Sequence, residues 1–243
     1  MIRVQSSHEP YTRALASFPA ILPWLLLAAI LLTFAGYVGP WVPHLVSGLV
    51  ITGLDLGEYV KFLPLVRGGQ IVLWRAGFYL PLVAASLAAS FAAFQPQLRP
   101  QRWLVWPLRV LLLALATIAA LNLLPPAWDQ STFTNPEFRQ QIVALAVCLL
   151  IMGTSPLWAL LPRVLTASVV IVLSICAIGF PLRDFLRVLP SIRELYQQPL
   201  APGWGFYAML VGLILLIGVH GVELRARTIA KRSASPSFHA PEL

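Results

Sequence analysis

Two stretches of the chain carry acids and bases in the same order, and they are the first places where side chains could do chemistry. Gly53-Leu54-Asp55-Leu56-Gly57-Glu58-Tyr59-Val60-Lys61-Phe62-Leu63-Pro64-Leu65-Val66-Arg67 aligns without a gap on Gly179-Phe180-Pro181-Leu182-Arg183-Asp184-Phe185-Leu186-Arg187-Val188-Leu189-Pro190-Ser191-Ile192-Arg193. The alignment keeps an acid, an aromatic, a base, Leu-Pro and a final Arg. A Gly-Phe-Tyr triplet follows each copy, Gly77-Phe78-Tyr79 and Gly205-Phe206-Tyr207, and opens the next apolar block. On a helix, Glu58 with Lys61 and Asp184 with Arg187 are i, i+3 pairs, each contributing about 0.2 to 0.5 kcal/mol when exposed. That is too little for stability alone to explain the pattern. Glu58, Lys61, Arg67, Asp184, Arg187 and Arg193 are therefore candidate interaction residues. The reading places 53–67 and 179–193 as short amphipathic helices on the outer membrane surface, forming a parallel internal repeat and packing on each other or on a partner. The plainer account is that two loops obey the same interfacial rules, with a turn stopped by proline between snorkelling bases.

The other reactive side chains point to anchoring and packing. Arg109 sits one turn into an apolar block and can snorkel to headgroups, and Glu223 lies at a block end beside Arg225 and Arg227. A haem held by two imidazoles needs them at matching depth, whereas His44 and His220 fall at opposite depths, so His220 reads as a packed histidine. Cys148 and Cys176 lie in apolar blocks as small hydrophobes, which supports neither a metal site nor a disulfide framework. No phosphate-binding loop, zinc-protease, nucleophile-elbow or dinucleotide motif occurs. These residues imply no catalytic group, no metal and no cofactor.

Those side chains must be positioned by very apolar elements. Hydrophobic residues make up 58% of the chain and charged ones 11%, with a mean hydropathy of +0.80; soluble domains run near 45 to 50% and about 25%. The apolar residues form long uninterrupted blocks, which predicts an all-α polytopic membrane bundle. Six spans are expected, at about 19–38, 76–94, 103–124, 142–161, 164–182 and 204–224. A polar N-terminus (1–18) and a basic, unfolded tail (225–243) flank this 19–224 membrane domain. Thr33-Phe34-Ala35 faintly resembles a signal-peptidase site, but its apolar run is too long, so the first span reads as uncleaved. The stretch 44–63 reads as an interfacial or re-entrant element; were it to cross, there would be seven spans and an outer N-terminus. Pro81, Pro107 and Pro156 read as kinks within spans. Small residues along Ala84 to Ala93, with Asn122, Thr154, Ser155, Ser168 and Ser174, read as helix packing. The tryptophans, from Trp24 to Trp204, read as headgroup-level anchors.

The net charge of +8 is spread over short loops and termini with no base-stacking strip, so it reads as a topology signal and not as a nucleic-acid site. The basic tail and Arg99 with Arg102 favour both termini in the cytoplasm, in a multi-pass cell-membrane protein compatible with a bacterial inner membrane. Three functions are consistent with this pattern. The first is a non-catalytic membrane subunit or scaffold that docks protein partners through the paired outer segments. The second is a permease, or the membrane subunit of a transporter, with a separate energising partner. The third is a lipid-acting enzyme using Glu58 and Asp184 at headgroup level.

Overall fold

The computed structural model describes residues 9–44, 46–95, 103–125 and 128–234, with side chains in all of these except residues 9–20, 47 and 229–234. The described residues are mostly helical. Among the described residues, five helical stretches are long and apolar enough to cross a membrane: Ile21–Val38, Arg75–Ala93, Pro136–Gly153, Arg163–Tyr196 and Trp204–Thr228. These lie in α1 (Glu9–Val38), a 3-10 turn (Arg75–Tyr79) running into α4 (Leu80–Ala93), a 3-10 turn (Pro136–Phe138) running into α6 (Arg139–Gly153), α8 (Arg163–Tyr196) and α9 (Trp204–Ala234). The block expected at 103–124 forms α5 (Val105–Leu121), an apolar helix of 17 residues.

Helix α4 is the hub, packed against α1, α5, α6 and α8. Its Ala84, Ala85, Ser86, Ala88, Ala89, Ser90, Ala92 and Ala93 are all buried. Side chains this small let neighbouring helices come close, and the two hydroxyls are satisfied on backbone carbonyls. Ser86 donates to Ala116 O on α5 at 2.9 Å and Ser90 to Ser86 O at 2.8 Å. Helices α1 and α9 run antiparallel along a second close seam. A Cβ on Gly36 would collide with the backbone of Met209, one on Gly205 with Gly39, and one on Gly212 with Thr33.

One end of the bundle carries a cap of short elements. Strands β1 (Pro40–Val42) and β2 (Ile51–Thr52) pair antiparallel, followed by α2 (Gly53–Tyr59), a 3-10 turn (Val60–Phe62) and α3 (Pro64–Arg67). Thr52 starts α2 with a reciprocal capping box to Asp55. Among the described residues of 44–63, no helix is longer than the seven residues of α2, about 10 Å, far short of a crossing. Trp41 is fully buried and not a headgroup anchor. Its ring meets Tyr37, Phe185 and Phe206 edge-on at 5.2 to 6.0 Å, and its Nε1 donates to Gly36 O. Trp24, Trp74, Trp103, Trp106, Trp128 and Trp204 are exposed.

Several sequence boundaries move. The fifth block does not stop at Leu182: α8 continues to Tyr196 with Pro181 and Pro190 inside it. A helix-interior proline costs about 3 kcal/mol, but Phe185, Val188, Leu189 and Ile192 form a fully or nearly fully buried stripe on the extension, each contributing about 1.5 to 3 kcal/mol. Burial outweighs the prolines. In the first copy Leu56, Val60 and Leu63 are buried before the proline, but Leu65 and Val66 after it are only half-buried where Ser191 and Ile192 are buried, and Pro64 takes the first position of α3 after an extended Leu63. The two aligned segments therefore differ in conformation: 53–67 is broken, while 179–193 lies inside one long helix and is not a separate surface helix. Pro81 stands inside the span Arg75–Ala93, where the 3-10 turn gives way to α4, and Pro156 opens the short helix α7 (Ser155–Trp158) after α6 has ended at Gly153, outside the span. Helix also continues past 224 to Ala234, through strong helix formers and an i, i+4 contact between Glu223 and Arg227 at 3.4 Å. It likewise reaches back to Glu9, into the stretch read as a polar N-terminus. Arg3, Arg99, Arg102 and residues 235–243 lie outside the described residues.

Candidate functional site

The acid of the first segment sits at the centre of a polar network on the capped face. Glu58, near the end of α2, accepts from Lys61 Nζ at 2.7 Å, Arg75 Nη2 at 3.3 Å, Tyr79 Oη at 3.2 Å and Gln141 Nε2 at 3.4 Å. A second carboxylate, Glu137, accepts from Lys61 and from Arg75, each at 3.2 Å. Arg75 also donates through Nε to Gly57 O. Two acids and two bases thus alternate around a ring that ties α2 to the starts of two membrane-length helices. Burial alone would raise the Glu58 carboxyl. The hydrogen bond and charge of Lys61, the charge of Arg75 and the amide of Gln141 overcome that and hold it below its ordinary value of 4.5. Lys61 is correspondingly raised, through its hydrogen bond to Glu58 first and then its contacts with Glu137.

The acid of the second segment does related work. Asp184 is buried, and its Oδ2 accepts the backbone N–H of Trp74 at 3.2 Å. Its other oxygen accepts from Arg183 Nε at 2.9 Å. The two aligned acids therefore grip consecutive residues of one turn, Glu58 through the side chain of Arg75 and Asp184 through the backbone of Trp74. The expected pair of Asp184 with Arg187 does not form, because residue 184 faces inward while Arg187 is exposed and without an ion pair among the described residues. Arg193 donates to Leu200 O at 2.6 Å, tying the end of α8 to the linker before α9. Arg67 is exposed at the end of α3 and likewise has no ion pair among the described residues. Of the six sequence candidates, Glu58 and Lys61 come together, Asp184 joins them through residues 74 and 75, and Arg67, Arg187 and Arg193 stay apart from the ring.

The residues that sequence spacing missed are Arg75, Glu137, Gln141 and Trp74. Glu137 is 79 positions from Glu58 in the chain, and no local period connects them. The two Gly-Phe-Tyr triplets also diverge. Phe78 and Phe206 are both buried, but Tyr79 bonds Glu58 whereas Tyr207 is exposed.

Beside the ring a cleft of about 390 Å³ lies between the start of α4 and α6, lined by Trp74, Ala76, Leu80, Val83, Arg139 and Val143 among others. A second hollow of about 260 Å³, reaching Arg75, Pro136 and Glu137, shares Trp74, Ala76, Gln140 and Gln141 with it. Trp74 Nε1 donates to Gln140 Oε1 at 2.9 Å across its wall.

The residues away from the cap take packing roles. His220 is buried with Nδ1 against Leu216 O at 2.9 Å. Glu223 pairs across helices with Arg163 at 3.0 Å. The Arg109 guanidinium lies over Phe94 at 4.7 Å and Trp106 at 5.1 Å. Among the described residues no group of three or more His, Cys, Asp or Glu side chains gathers as a metal site. No protein-family model, no curated protein and no solved structure matches this chain.

Proposed function

We propose that the protein is a non-catalytic membrane subunit, a six-span bundle whose capped face docks a partner protein. One observation carries the reading: the two aligned acids of the cap, Glu58 and Asp184, are already taken up by internal partners. Glu58 accepts four donors and stays ionised, which makes it a weak base and no acid at neutral pH. Asp184 is buried against a backbone N–H and Arg183. Such groups build a rigid platform. The lipid-enzyme alternative would need one of them free to move a proton. The permease alternative has less support: Asp184 within α8 is held by the Trp74 backbone N–H and Arg183, and His220 within α9 by the Leu216 carbonyl, so neither stands open as a coupling group.

The sixth span is α5. Arg75 and Glu137 are bonded at 3.2 Å, so the spans that begin with them start on the same face. Helix α4 leaves that face, and the chain has to recross before Glu137. The 17 residues of α5 extend about 25 Å, at the short end of the spanning range. Its exposed Val110, Leu111, Ile118 and Leu121 suit contact with lipid. Acids nearly match bases on the capped face, while Arg163, Arg225 and Arg227 load the opposite face against Glu223 alone among the described side chains. That asymmetry favours termini in the cytoplasm and a capped face outside, as in a bacterial inner-membrane protein. The parallel repeat keeps one point of support, the shared grip of its two acids on residues 74 and 75.

The docking groups are two of the exposed cap bases without an ion pair among the described residues, Arg67 and Arg187, on a cap that also exposes Phe62 and Val72. Two free guanidiniums suit a partner surface bearing carboxylates. The test is mild-detergent purification of the tagged chain, with and without Arg67→Glu plus Arg187→Glu. The double variant is expected to keep its melting temperature and lose the co-purifying partner. Retention of the partner by the double variant contradicts the docking surface. Loss of a lipid product from cells carrying Glu58→Gln plus Asp184→Asn would favour the enzyme instead.

A further inference from the structure

We propose that the cleft between α4 and α6 is a binding site for one anionic phospholipid. The proposal is independent of partner docking. The cleft has two chemically distinct ends. At the capped end stands Arg139, exposed and without an ion pair among the described residues, next to the ring in which Lys61 and Arg75 already balance Glu58 and Glu137. One positive charge is therefore left over at the mouth, and a phosphodiester is an anion present at headgroup level whose oxygens the guanidinium fork matches. The Trp74 indole, fixed by Gln140, supplies the amphipathic wall usual at that depth. One turn deeper the lining becomes Leu80, Val83, Val143 and Ala144.

The apolar lining continues beyond the cleft. Val143, Val147 and Leu150 are exposed at 56%, 41% and 66% and recur at i, i+4, i+7 down one face of α6. This stripe is a track for an acyl chain whose glycerol end sits in the cleft. The volume of about 390 Å³ falls in the lower part of the range of ligand pockets, roughly 300 to 1,000 Å³. It suits a headgroup and the top of one chain, with the remainder lying along α6. A free soluble anion would use only the Arg139 end and gain nothing from the stripe.

Native mass spectrometry of the full chain in detergent tests this, with phosphatidylglycerol, phosphatidylcholine or glycerol 3-phosphate added separately. Phosphatidylglycerol is expected to be retained about tenfold better than phosphatidylcholine, the factor that 1.4 kcal/mol represents, and glycerol 3-phosphate is expected not to be retained. Arg139→Gln should remove the preference for the anionic lipid. Val143→Trp, at an exposed position, should fill the cleft and lower retention of both lipids while leaving the melting temperature unchanged. Equal retention of the two lipids by the unaltered chain, an unchanged preference in Arg139→Gln, or glycerol 3-phosphate held as tightly as the lipid would each overturn the proposal.

Discussion

Glu58 was visible in the sequence as an acid three residues before a base, and that pair forms at 2.7 Å. Its importance was not visible, because Arg75, Tyr79 and Gln141 reach it from distant parts of the chain. The side chain is 21% exposed, so it is shielded enough for its hydrogen bonds to matter. Glu58→Gln leaves two cations facing an amide and is expected to destabilise the cap by about 1 to 2 kcal/mol, after allowing for solvent screening. Gln141→Leu should cost less, below about 1 kcal/mol, since its bond to Glu58 is long and its Oε1 already lacks a partner among the described residues. Thermal unfolding of the two variants in detergent, followed by tryptophan fluorescence, checks the order. The pH dependence has two signs. Glu58 is held below its ordinary 4.5, so its contribution is complete above that value and disappears as pH falls through its own lower one. Lys61 is raised above 10.5, so its contribution is complete below that value and disappears as pH rises through its own higher one. Cap stability is therefore expected to be level through neutral pH and to fall below about pH 4.5 and above about pH 10.5, as melting temperatures across a pH series would report.

At the scale of elements, apolar block length located the helices well and their ends poorly. Hydropathy records where a helix can lie in lipid, whereas its end is decided by tertiary burial. Pro190 looked like a stop from its neighbours alone, yet Val188, Leu189 and Ile192 pack beneath it and the helix goes on. The same Leu-Pro pair at Leu63-Pro64 does end a turn although Leu63 is buried, and there the residue aligned with Ile192, Val66, is only half-buried. The α1 and α9 seam was equally hidden, because Gly36, Gly205 and Gly212 show their purpose only when their helices are paired. Gly36→Val places a side chain into the Met209 backbone and is expected to cost at least about 1 to 3 kcal/mol. The same change at Gly221, where an added Cβ meets nothing within 4 Å, should cost nothing and gain about a few tenths of a kcal/mol, because valine is a better helix former than glycine. Comparing the two melting temperatures tests the seam against a general intolerance of larger residues in these helices.

At the scale of the whole molecule, composition was sufficient for the class, since side chains this apolar cannot all be buried in a watery core. Large hydrophobic residues remain exposed along α5, α6 and α8, including Val110, Val143, Leu150, Val172 and Ile175, where lipid is the matching solvent. Composition could not show that the short elements gather into a single cap, because that depends on contacts such as Arg75 with Glu137 and Trp74 with Asp184. In a background with Cys148 and Cys176 replaced by alanine, single cysteines at Phe62, Phe133 and Leu195 would sit on the cap, and one at Leu160 on the opposite end. A membrane-impermeant maleimide applied to sealed vesicles of one orientation should label the three cap positions together and leave position 160 unlabelled, with the pattern reversed in inverted vesicles. If any cap position labels from the same side as position 160, the one-face architecture is contradicted.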